Sequence, residues 1–450
     1  MKSTVEKNVS IKKGQILMGI LVLLGALLAG SWHLSPWFRT WALGKLDQAR
    51  GAAIHYELLD QVEARDIRQV MTADPSRSRV IQWQSDYEVK EPVLEYRQTG
   101  KDGMETVPVE KEKFTDGGKT TWVYTARLDK LEPRQSYEYR IRVGKKATDW
   151  MALKAFAGHT FKALIFPDSQ SADYSVWKTT AQPAWQRNPD ASFFVNMGDL
   201  VDNGEDSSQW NAWFGVVEPM AEKIPVAPIM GNHETYDLNW KVRMPEGYLH
   251  RFSLPDNGRE KYRNQFYSFT VGDVHFVVLN TQNTELKEWE PDLTRDQQEW
   301  FQEDMARNRK NWNIVLMHKD PLQYGFNPET RPGRERAEGF SEEGREWMPL
   351  FDQYGVDLVL SAHLHTYRNR GRIYDFQRAD RGPAYVITGV AGDVRYPGLW
   401  KRHPLDLTVA PQPETDNYLV LEKKEDSLEI QCFLPDGTLV DTVTVGKSEE

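Results

Sequence analysis

The chain has 450 residues, more than a single hydrophobic core usually organises, so we expect two domains after a short N-terminal segment. A formal net charge of −10 argues against nucleic acid as a partner, because phosphate binding requires a basic face. The one cysteine, Cys432, excludes an internal disulfide, and nothing in the composition indicates an obligate protein partner.

The N-terminal segment, residues 1–32, differs from the rest of the chain. Lysines precede the uncharged run "ILMGILVLLGALLAG" at 16–30, which is barely long enough to span a bilayer. We favour a cytoplasmic tail and an uncleaved transmembrane helix; a cleaved signal peptide and a buried core helix are the alternatives. Because the lysines favour the cytoplasmic side, the remainder is expected to be membrane-anchored and extracytoplasmic, at the cell surface or in the periplasm.

Residues 33–65 have mixed character and predict a juxtamembrane connector with some helix. Over 66–158 the pattern changes to short runs rich in β-branched and aromatic residues, among them "RVIQWQS", "TWVYTARL" and "SYEYRIRV". Turn signals such as "ADPSRS", "TDGGK" and "LEPRQ" separate these runs. Several strands at this spacing predict a small all-β sandwich.

Residues 159–447 predict a layered α/β domain. The runs "FKALIFPD", "ASFFVNMGD", "IPVAPIMGN", "WNIVLMHKD" and "VDLVLSAHLH" are continuously apolar, as expected for strands covered on both faces. Between them, segments such as "TRDQQEWFQEDMARNRKN" and "SEEGREWMPLFDQYG" carry apolar residues at helical spacing. Two further β-rich regions, at 265–282 and 418–445, predict antiparallel hairpins.

Each of the five apolar runs is followed by a polar cluster. The clusters contain Asp168 with Gln170, Asp199 with Asp202, Asn232 with His233, His318, and His363 with His365. In open α/β sheets ligands bind outside the carboxyl ends of strands, and these oxygen and imidazole donors suit Zn, Fe or Mn. Taken singly, a histidine after a strand can be a capping or core residue, and an aspartate after glycine can be a turn residue. Five such clusters in succession favour one metal centre.

The set offers enough ligands for two metal ions. Two ions that lie close together need a shared carboxylate to hold them against their mutual repulsion, and Asp199 is the natural candidate. Such a pair holds a phosphoryl oxygen and activates a trapped water, so the expected reaction is attack of a metal-bound hydroxide on phosphorus.

The order "GDLVDNG", "GNHE", a histidine at the end of an apolar strand, and "AHLH" resembles the calcineurin-like metallophosphoesterases. The β-rich segment before it, with "LEPRQSYEYRI", resembles the fibronectin-III-like domain that precedes the catalytic domain of purple acid phosphatases. The resemblance implies a four-layer α-β-β-α sandwich behind a small fibronectin-III-like sandwich. It also implies a phosphate-ester substrate and two divalent or trivalent metal ions, with Fe, Zn and Mn left open.

Transferred onto this sequence, the family's motifs assign ligands to both ions. One ion would be held by Asp168, Asp199 and His365, and the other by Asp199, Asn232, His318 and His363. His233 would stabilise the phosphoryl oxygens or protonate the leaving alkoxide as a general acid. Asp202 could hold the His233 imidazolium through a hydrogen bond.

Two positions depart from the family pattern. The first motif is usually Asp-x-His, but here it is "DSQ", so Gln170 would be a weak ligand or support a water. Purple acid phosphatases have a tyrosine three residues after the bridging aspartate, where this chain has Asp202, so a purple ferric site is not expected.

The Gly-, Pro- and Arg-rich stretch at 324–340 has two interpretations. It is either a mobile lid with Arg331, Arg334 or Arg336 reaching substrate phosphate, or a solvated surface loop. The overall prediction is a metal-dependent phosphoesterase acting on phosphomonoesters or diesters. The alternative is a surface-binding protein with the same fold and little or no turnover, which Gln170 alone favours.

Overall fold

The computed structural model describes residues 30, 35–156, 158–411 and 414–447. Apart from Gly30, the predicted anchor at 1–32 lies outside these residues. Among the residues that are described, no helix combines the length and the apolar character needed to cross a bilayer. The connector contains helix α1 (Pro36–His55), which begins at Pro36 because the Ser35 hydroxyl accepts a hydrogen bond from the Phe38 amide at 3.2 Å.

The β-rich region after α1 is built from short antiparallel strands. They are β1 (Arg65–Val70), β2 (Arg79–Ser85), β3 (Val93–Gln98), β4 (Glu105–Val107), β5 (Val109–Asp116), β6 (Lys119–Leu128), β7 (Ser136–Val143), β8 (Lys146–Ala147) and β9 (Met151–Lys154). Strands β1, β2, β6 and β5 form one face, and β4, β3, β7 and β8 with β9 form the other. Trp83, Tyr124 and Tyr139 are fully buried between the two faces, which is the packing expected of a sandwich.

The following region alternates strands and helices. The strands are β10 (Phe161–Phe166), β11 (Phe193–Asn196), β12 (Val226–Pro228), β13 (Tyr267–Val271), β14 (Val274–Leu279), β15 (Trp312–Met317), β16 (Leu322–Gln323), β17 (Gly339–Phe340), β18 (Leu358–Ser361), β19 (Tyr367–Tyr374), β20 (Gln377–Arg378), β21 (Ala384–Thr388), β22 (Thr408–Val409), β23 (Tyr418–Lys423), β24 (Ser427–Phe433) and β25 (Leu439–Gly446). The α-helices are α2 (Tyr174–Arg187), α3 (Ser207–Ala221), α4 (Glu246–Arg251), α5 (Leu293–Asn308) and α6 (Glu342–Tyr354), and short 3₁₀ turns lie at His233–Thr235 and Glu260–Tyr262.

Two large sheets organise these elements. One has the strand order β25-β24-β23-β10-β11-β12-β1-β2-β6-β5, and the other contains β13-β14-β15-β18-β21-β19-β20 with β22 paired to β19. They face each other through aromatic side chains: the Phe193 ring centroid lies 5.8 Å from that of Phe269 and 5.6 Å from that of Phe276. Helices α2 and α3 contact the first sheet, and α5 contacts the second. Helix layers therefore flank two facing sheets, as a four-layer α/β sandwich requires.

The predicted sandwich differs from the observed one in an important respect. Its strand β1 pairs in parallel with β12, with Val70 opposite Val226, so the first sheet runs without a break from the β-rich region into the α/β region. Strand β1 lies in the interior of this sheet, between β12 and β2, although the buried apolar side chains form two distinct clusters. The sequence of β1, "RDIRQV", is too polar to predict a strand in the interior of a sheet. Arg68 is nevertheless fully buried there, and its guanidinium donates hydrogen bonds to backbone carbonyls.

The secondary structure predicted for the α/β region is confirmed. The five apolar runs form β10, β11, β12, β15 and β18, the region at 265–282 contains the β13–β14 hairpin, and 418–445 contains the β23–β24–β25 meander. Side chains cap the first turns of α3 and α6: the Asp206 carboxylate accepts from the Ser208 amide at 2.8 Å, and the Ser341 hydroxyl accepts from the Gly344 amide at 3.0 Å. How the chain divides into domains at 33, 66 and 159 stays a prediction.

Candidate metal centre

The predicted polar clusters meet at one edge of the two sheets. Strands β10, β11 and β12 run parallel, as do β15 and β18, so their carboxyl ends point the same way. The side chains of Asp168, Asp199 and His318 at these ends are at most 1% exposed. Residues that are up to 197 positions apart in the sequence, from 168 to 365, therefore share one buried location.

The structure sorts the candidate ligands into two groups that share Asp199. One group contains Asp168, Asp199 and His365, and the other contains Asp199, His318 and His363. In each group one donor atom per residue lies within 4.8 Å of the others, which is the spacing that a bound cation allows. Asn232 joins the second group, because its Oδ1 lies 3.2 Å from His318 Nε2. These are the two sets that the sequence assigns to two ions.

Backbone hydrogen bonds orient the histidines. The Nδ1 of His318 donates to the Met197 carbonyl at 2.9 Å, so its Nε2 points at Asp199 Oδ2, 3.2 Å away. The Nδ1 of His365 donates to the Val394 carbonyl at 2.8 Å, and its Nε2 lies 3.8 Å from Asp168 Oδ2. A second hydrogen bond of this kind fixes which ring nitrogen is presented as a metal ligand.

The electrostatics show how strongly these groups depend on each other's charge. Burial raises the pKa of Asp168 well above its usual range, and the charge of Asp199 adds to this. Burial opposes ionisation of Asp199 too, but His318 and His233 outweigh it and lower its pKa. Burial lowers the pKa of His365 to about 4, which keeps the imidazole neutral and able to ligate.

Two glycines allow the loops that carry the predicted ligands to pack closely against each other. A Cβ on Gly198, whose φ is +99°, would lie 2.4 Å from His318 Nδ1, and a Cβ on Gly231 would lie 2.1 Å from Asp199 Oδ1. Asp199, His363 and His365 themselves have φ values of 49°, 68° and 50°, a conformation that costs a residue with a side chain about 1–2 kcal/mol. Such strain is typical of functional sites, where surrounding structure holds a side chain in place.

Glu234 stabilises the loop that contains Asp199 through hydrogen bonds to backbone amides. Its carboxylate accepts hydrogen bonds from the amides of Asp199 at 3.0 Å, Leu200 at 2.8 Å, Val201 at 3.3 Å and Gly231 at 2.7 Å. The glutamate of "GNHE" therefore joins the loop after β11 to the loop after β12. No pattern in the sequence indicates these four donors.

His233 lies beside Asp202, whose backbone makes the closer of two contacts. Its Nδ1 lies 2.7 Å from the backbone carbonyl of Asp202, whereas the Asp202 carboxylate is 3.4 Å away. The backbone, more than the carboxylate, sets the ring orientation and leaves Nε2 for a substrate. Burial opposes protonation of His233, but Asp199 and then Asp202 raise its pKa to about 9.

Gln170 is fully buried, and neither Oε1 nor Nε2 of its side chain has a hydrogen-bond partner among the described residues. Asp168 Oδ1 also lacks one. Buried polar atoms without partners are costly, so their presence at a cluster of ligands is a sign that another group completes the site. The donor set, two carboxylates, an amide and three imidazoles with no thiolate, fits the borderline cations Fe, Zn or Mn.

A cavity of about 430 Å³ opens above the ligands. Its lining includes the predicted site residues His233, Asn232, His363 and His365. It also includes residues that the sequence did not single out: Tyr236, Glu285, Lys319, Glu343, Tyr396 and Trp400. Lys319 follows His318 directly in "HKD", which is the one sequence signal that could have identified it. The volume is that of a small-molecule site.

The loop at 324–340 combines both interpretations. Arg331 and Arg334 are exposed to solvent, as a surface loop predicts. Arg336 instead lines the cavity. The loop is held in place at its start, where the Asn327 amide donates to the Leu399 carbonyl at 2.8 Å, and at its base, where β16 pairs with β17.

Comparison with known proteins agrees with this architecture. Residues 161–367 match the model of the calcineurin-like phosphoesterases, and residues 64–156 match that of the purple acid phosphatase N-terminal domain. Purple acid phosphatase 22 of Arabidopsis thaliana is 27% identical over 320 residues, 67% of this chain and 66% of that protein. Purple acid phosphatase 15 of Arabidopsis thaliana is 27% identical over 210 residues, 46% of this chain and 36% of that protein, so the match to it spans little more than a third of its length.

The solved structure of purple acid phosphatase PPD1 from yellow lupin (Lupinus luteus) seeds has the same fold. It superimposes with a TM-score of 0.65 at 18% sequence identity, over 86% of this chain and 74% of that chain. The resemblance that the motifs indicated is confirmed: the chain carries a calcineurin-like phosphoesterase domain over residues 161–367 and, ahead of it, an N-terminal domain of the purple acid phosphatase type over residues 64–156.

Proposed function

We propose that the protein is a dinuclear metal-dependent hydrolase of phosphomonoesters or phosphodiesters. The observation that supports this most directly is that Asp199 belongs to two groups of ligand atoms at once, at the floor of a cavity of about 430 Å³. A carboxylate shared between two sites is the arrangement that holds two cations close together. The names of the relatives, purple acid phosphatases, favour the same activity.

The residues divide into binding and proton-transfer roles. Asp168, Asp199 and His365 would hold one ion, and Asp199, Asn232, His318 and His363 the other. When bound, such a pair polarises a phosphoryl oxygen and lowers the pKa of an adjacent water to about 7. The chain contributes the orientation of the ligands through the backbone bonds of His318 and His365, and it excludes water by burying Asp168 and Asp199.

His233 would act on the substrate as a general acid or electrostatic stabiliser. It lines the cavity but belongs to neither ligand group, and its Nδ1 is engaged by the Asp202 carbonyl. Its Nε2 can therefore donate to a phosphoryl oxygen or to a leaving alkoxide, a contribution of about 10²–10⁴ in rate. Asp202 would assist mainly through its backbone.

The metal identity remains open among Fe, Zn and Mn. Asp202 occupies the position at which purple acid phosphatases have a tyrosine, so an iron-loaded protein should lack the colour of a phenolate-bound ferric ion. Gln170 could complete the Asp168 site with a neutral oxygen, which is a weaker ligand than imidazole.

The test is hydrolysis of p-nitrophenyl phosphate and bis-p-nitrophenyl phosphate, with and without Mn, Zn or Fe. The wild type is compared with Asp199→Asn and with Asp256→Asn, an exposed aspartate that serves as a control for the same chemical change. Metal-dependent turnover that is lost in Asp199→Asn and kept in Asp256→Asn supports the proposal. Equal turnover in all three proteins would refute it, and the preferred ester decides between phosphatase and phosphodiesterase.

A second candidate is a binding protein with little or no turnover. The observation that favours it is Gln170, because a fully buried amide replaces the usual histidine. The two candidates differ in one result: a protein that retains metal but hydrolyses neither ester would be the binder.

The membrane anchor and the extracytoplasmic location are proposals as well. They rest on the lysine-flanked apolar run at 16–30, and they are supported by Trp37 and Trp41 of α1, which are 44% and 51% exposed. Tryptophan is enriched where protein meets the membrane interface. Fractionation of cells expressing the full chain, with alkaline carbonate extraction and protease access from outside, tests both; recovery in the soluble cytoplasmic fraction would refute them.

A further inference from the structure

We infer that Arg336 and the aromatic surface beneath it form a subsite for a second anionic group of the substrate, a carboxylate or a second phosphate. This inference rests on the proposed function, because it concerns the same cavity. It goes beyond that function by naming the chemical class of the ester: a small molecule with a negative group beside the one that is cleaved.

Arg336 is held in place by aromatic rings. Its guanidinium carbon lies 5.5 Å from the ring centroid of Trp400 and 5.9 Å from that of Phe326. These two rings stack on each other with centroids 5.4 Å apart and planes inclined by 17°. An arginine on such a surface loses little further side-chain freedom when it binds an anion, since its plane is already oriented.

The charges of Glu343 and Asp320 act on Arg336, but neither carboxylate pairs with it directly. Arg336 forms no ion pair and no side-chain hydrogen bond with any residue that the structure describes. Both of these acids have other cationic partners: Asp320 lies 2.7 Å from Arg370, and Glu343 lies 3.9 Å from Lys319.

Lys319, the other basic residue of the cavity, differs from Arg336 because it forms ion pairs. Its ammonium lies 2.7 Å from the Glu285 carboxylate and 3.9 Å from that of Glu343, so two acids neutralise it. A guanidinium that lines a cavity without a partner offers up to five donors in a planar fork that matches a carboxylate or phosphate. Arg336 is therefore the group of this wall that can accept an anionic ligand.

The position of Arg336 argues for a second group rather than for the phosphoryl group that is cleaved. Trp400 contacts both sides: the guanidinium lies over its ring, and its indole Nε1 donates to the Leu364 carbonyl at 2.9 Å. Leu364 lies between His363 and His365 in "AHLH". Among the described residues Arg336 has no hydrogen bond or ion pair with a predicted metal ligand and is connected to them through Trp400 and Leu364; Leu364, Leu399 and Tyr396 line the same cavity.

The experiment compares phenyl phosphate with its ortho-, meta- and para-carboxyphenyl analogues. We measure kcat/KM from released inorganic phosphate for the metal-loaded wild type, Arg336→Gln and Arg334→Gln. Arg334 lies two positions away in the same loop and is exposed, so it is a matched control. The affinities of phenylphosphonate and the carboxyphenylphosphonates, measured by calorimetry, give a readout that needs no turnover.

We expect Arg336→Gln to reduce the preference for at least one carboxylated ligand over its uncharged parent by about 10- to 100-fold, the value of a hydrogen bond to a charged group. Arg334→Gln should leave the preference unchanged. If Arg336→Gln lowers kcat/KM and affinity equally for charged and uncharged ligands, or lowers neither, the subsite is overturned. Thermal unfolding midpoints identify a misfolded variant. Absence of turnover in the wild type would reject the proposed function alone, because the phosphonate affinities still decide the subsite.

Discussion

Glu234 gives the sharpest test of how the metal centre is held. Both of its carboxylate oxygens accept backbone amides: one accepts from Leu200 and Val201, and the other from Asp199 and Gly231. The substitution Glu234→Gln keeps the size of the side chain but turns one oxygen into a donor. Whichever way the amide is oriented, two of the four backbone donors lose their acceptor.

The expected loss of stability follows from the number of backbone donors left without an acceptor. A buried donor without a partner costs about 1–3 kcal/mol, so two of them predict a loss of about 2–6 kcal/mol in the free energy of unfolding. This is a large part of the 5–15 kcal/mol that is typical of a folded domain. Because two of the amides belong to Asp199 and its neighbour Leu200, the loss should fall on the loop that presents the shared carboxylate, and metal content should fall with it.

Urea unfolding and metal analysis of purified protein measure both effects. Glu299→Gln, on an exposed glutamate of α5, makes the same chemical change away from the site and should leave both values as in the wild type. If Glu234→Gln unfolds within about 0.5 kcal/mol of the wild type, the range of an ordinary surface substitution, and retains its metal, the role assigned to these four hydrogen bonds is wrong.

Three further outcomes are expected. Gly198→Ala should lower stability by about 2 kcal/mol or more and abolish turnover, whereas Gly118→Ala, at φ +71° with open space around the new methyl group, should cost only about 1 kcal/mol in urea unfolding and keep turnover. Asp202→Asn should change kcat by no more than about fivefold, because the backbone supplies the closer contact, while His233→Gln should lower it by about 10²–10⁴. The hydrogen bond that His250 donates to the Glu246 carboxylate raises the pKa of His250 above its ordinary 6.5. The stabilisation is therefore complete below that pH and is lost as the pH rises through the higher folded value. The unfolding free energies of the wild type and His250→Gln should therefore differ by up to about 1 kcal/mol at pH 6 and converge in alkaline solution; a difference that grows with pH would contradict this.

The sequence was most informative where one local pattern determines the result. An apolar strand that is covered on both faces must end in polar residues, and the carboxyl ends of parallel strands share an edge. Asp168, Asn232 and His318 could therefore be placed together before any coordinates were known. The helices followed from the helical spacing of their apolar residues.

What the sequence could not indicate depends on contacts between distant segments. The pairing of β1 with β12 joins residues 70 and 226, and the strand concerned is rich in arginine and glutamine. The partner of His233 is a backbone carbonyl, which every residue has, so no side-chain pattern could reveal it. The choice of Arg336 among three arginines of one loop depends on which of them lies over Trp400.

The unbroken sheet also limits how the two regions can be separated. Strand β12 leads directly to Asn232 and His233, and its outer neighbour is β1, from the β-rich region. An excised α/β region would leave the amides and carbonyls of β12 without a neighbour on that side, an open edge that invites association with other chains. The N-terminal sandwich thus supplies the strand that covers this edge of the α/β region. If it were exchanged for the sandwich of a relative, the replacement would have to supply a strand that pairs with β12 in the same register.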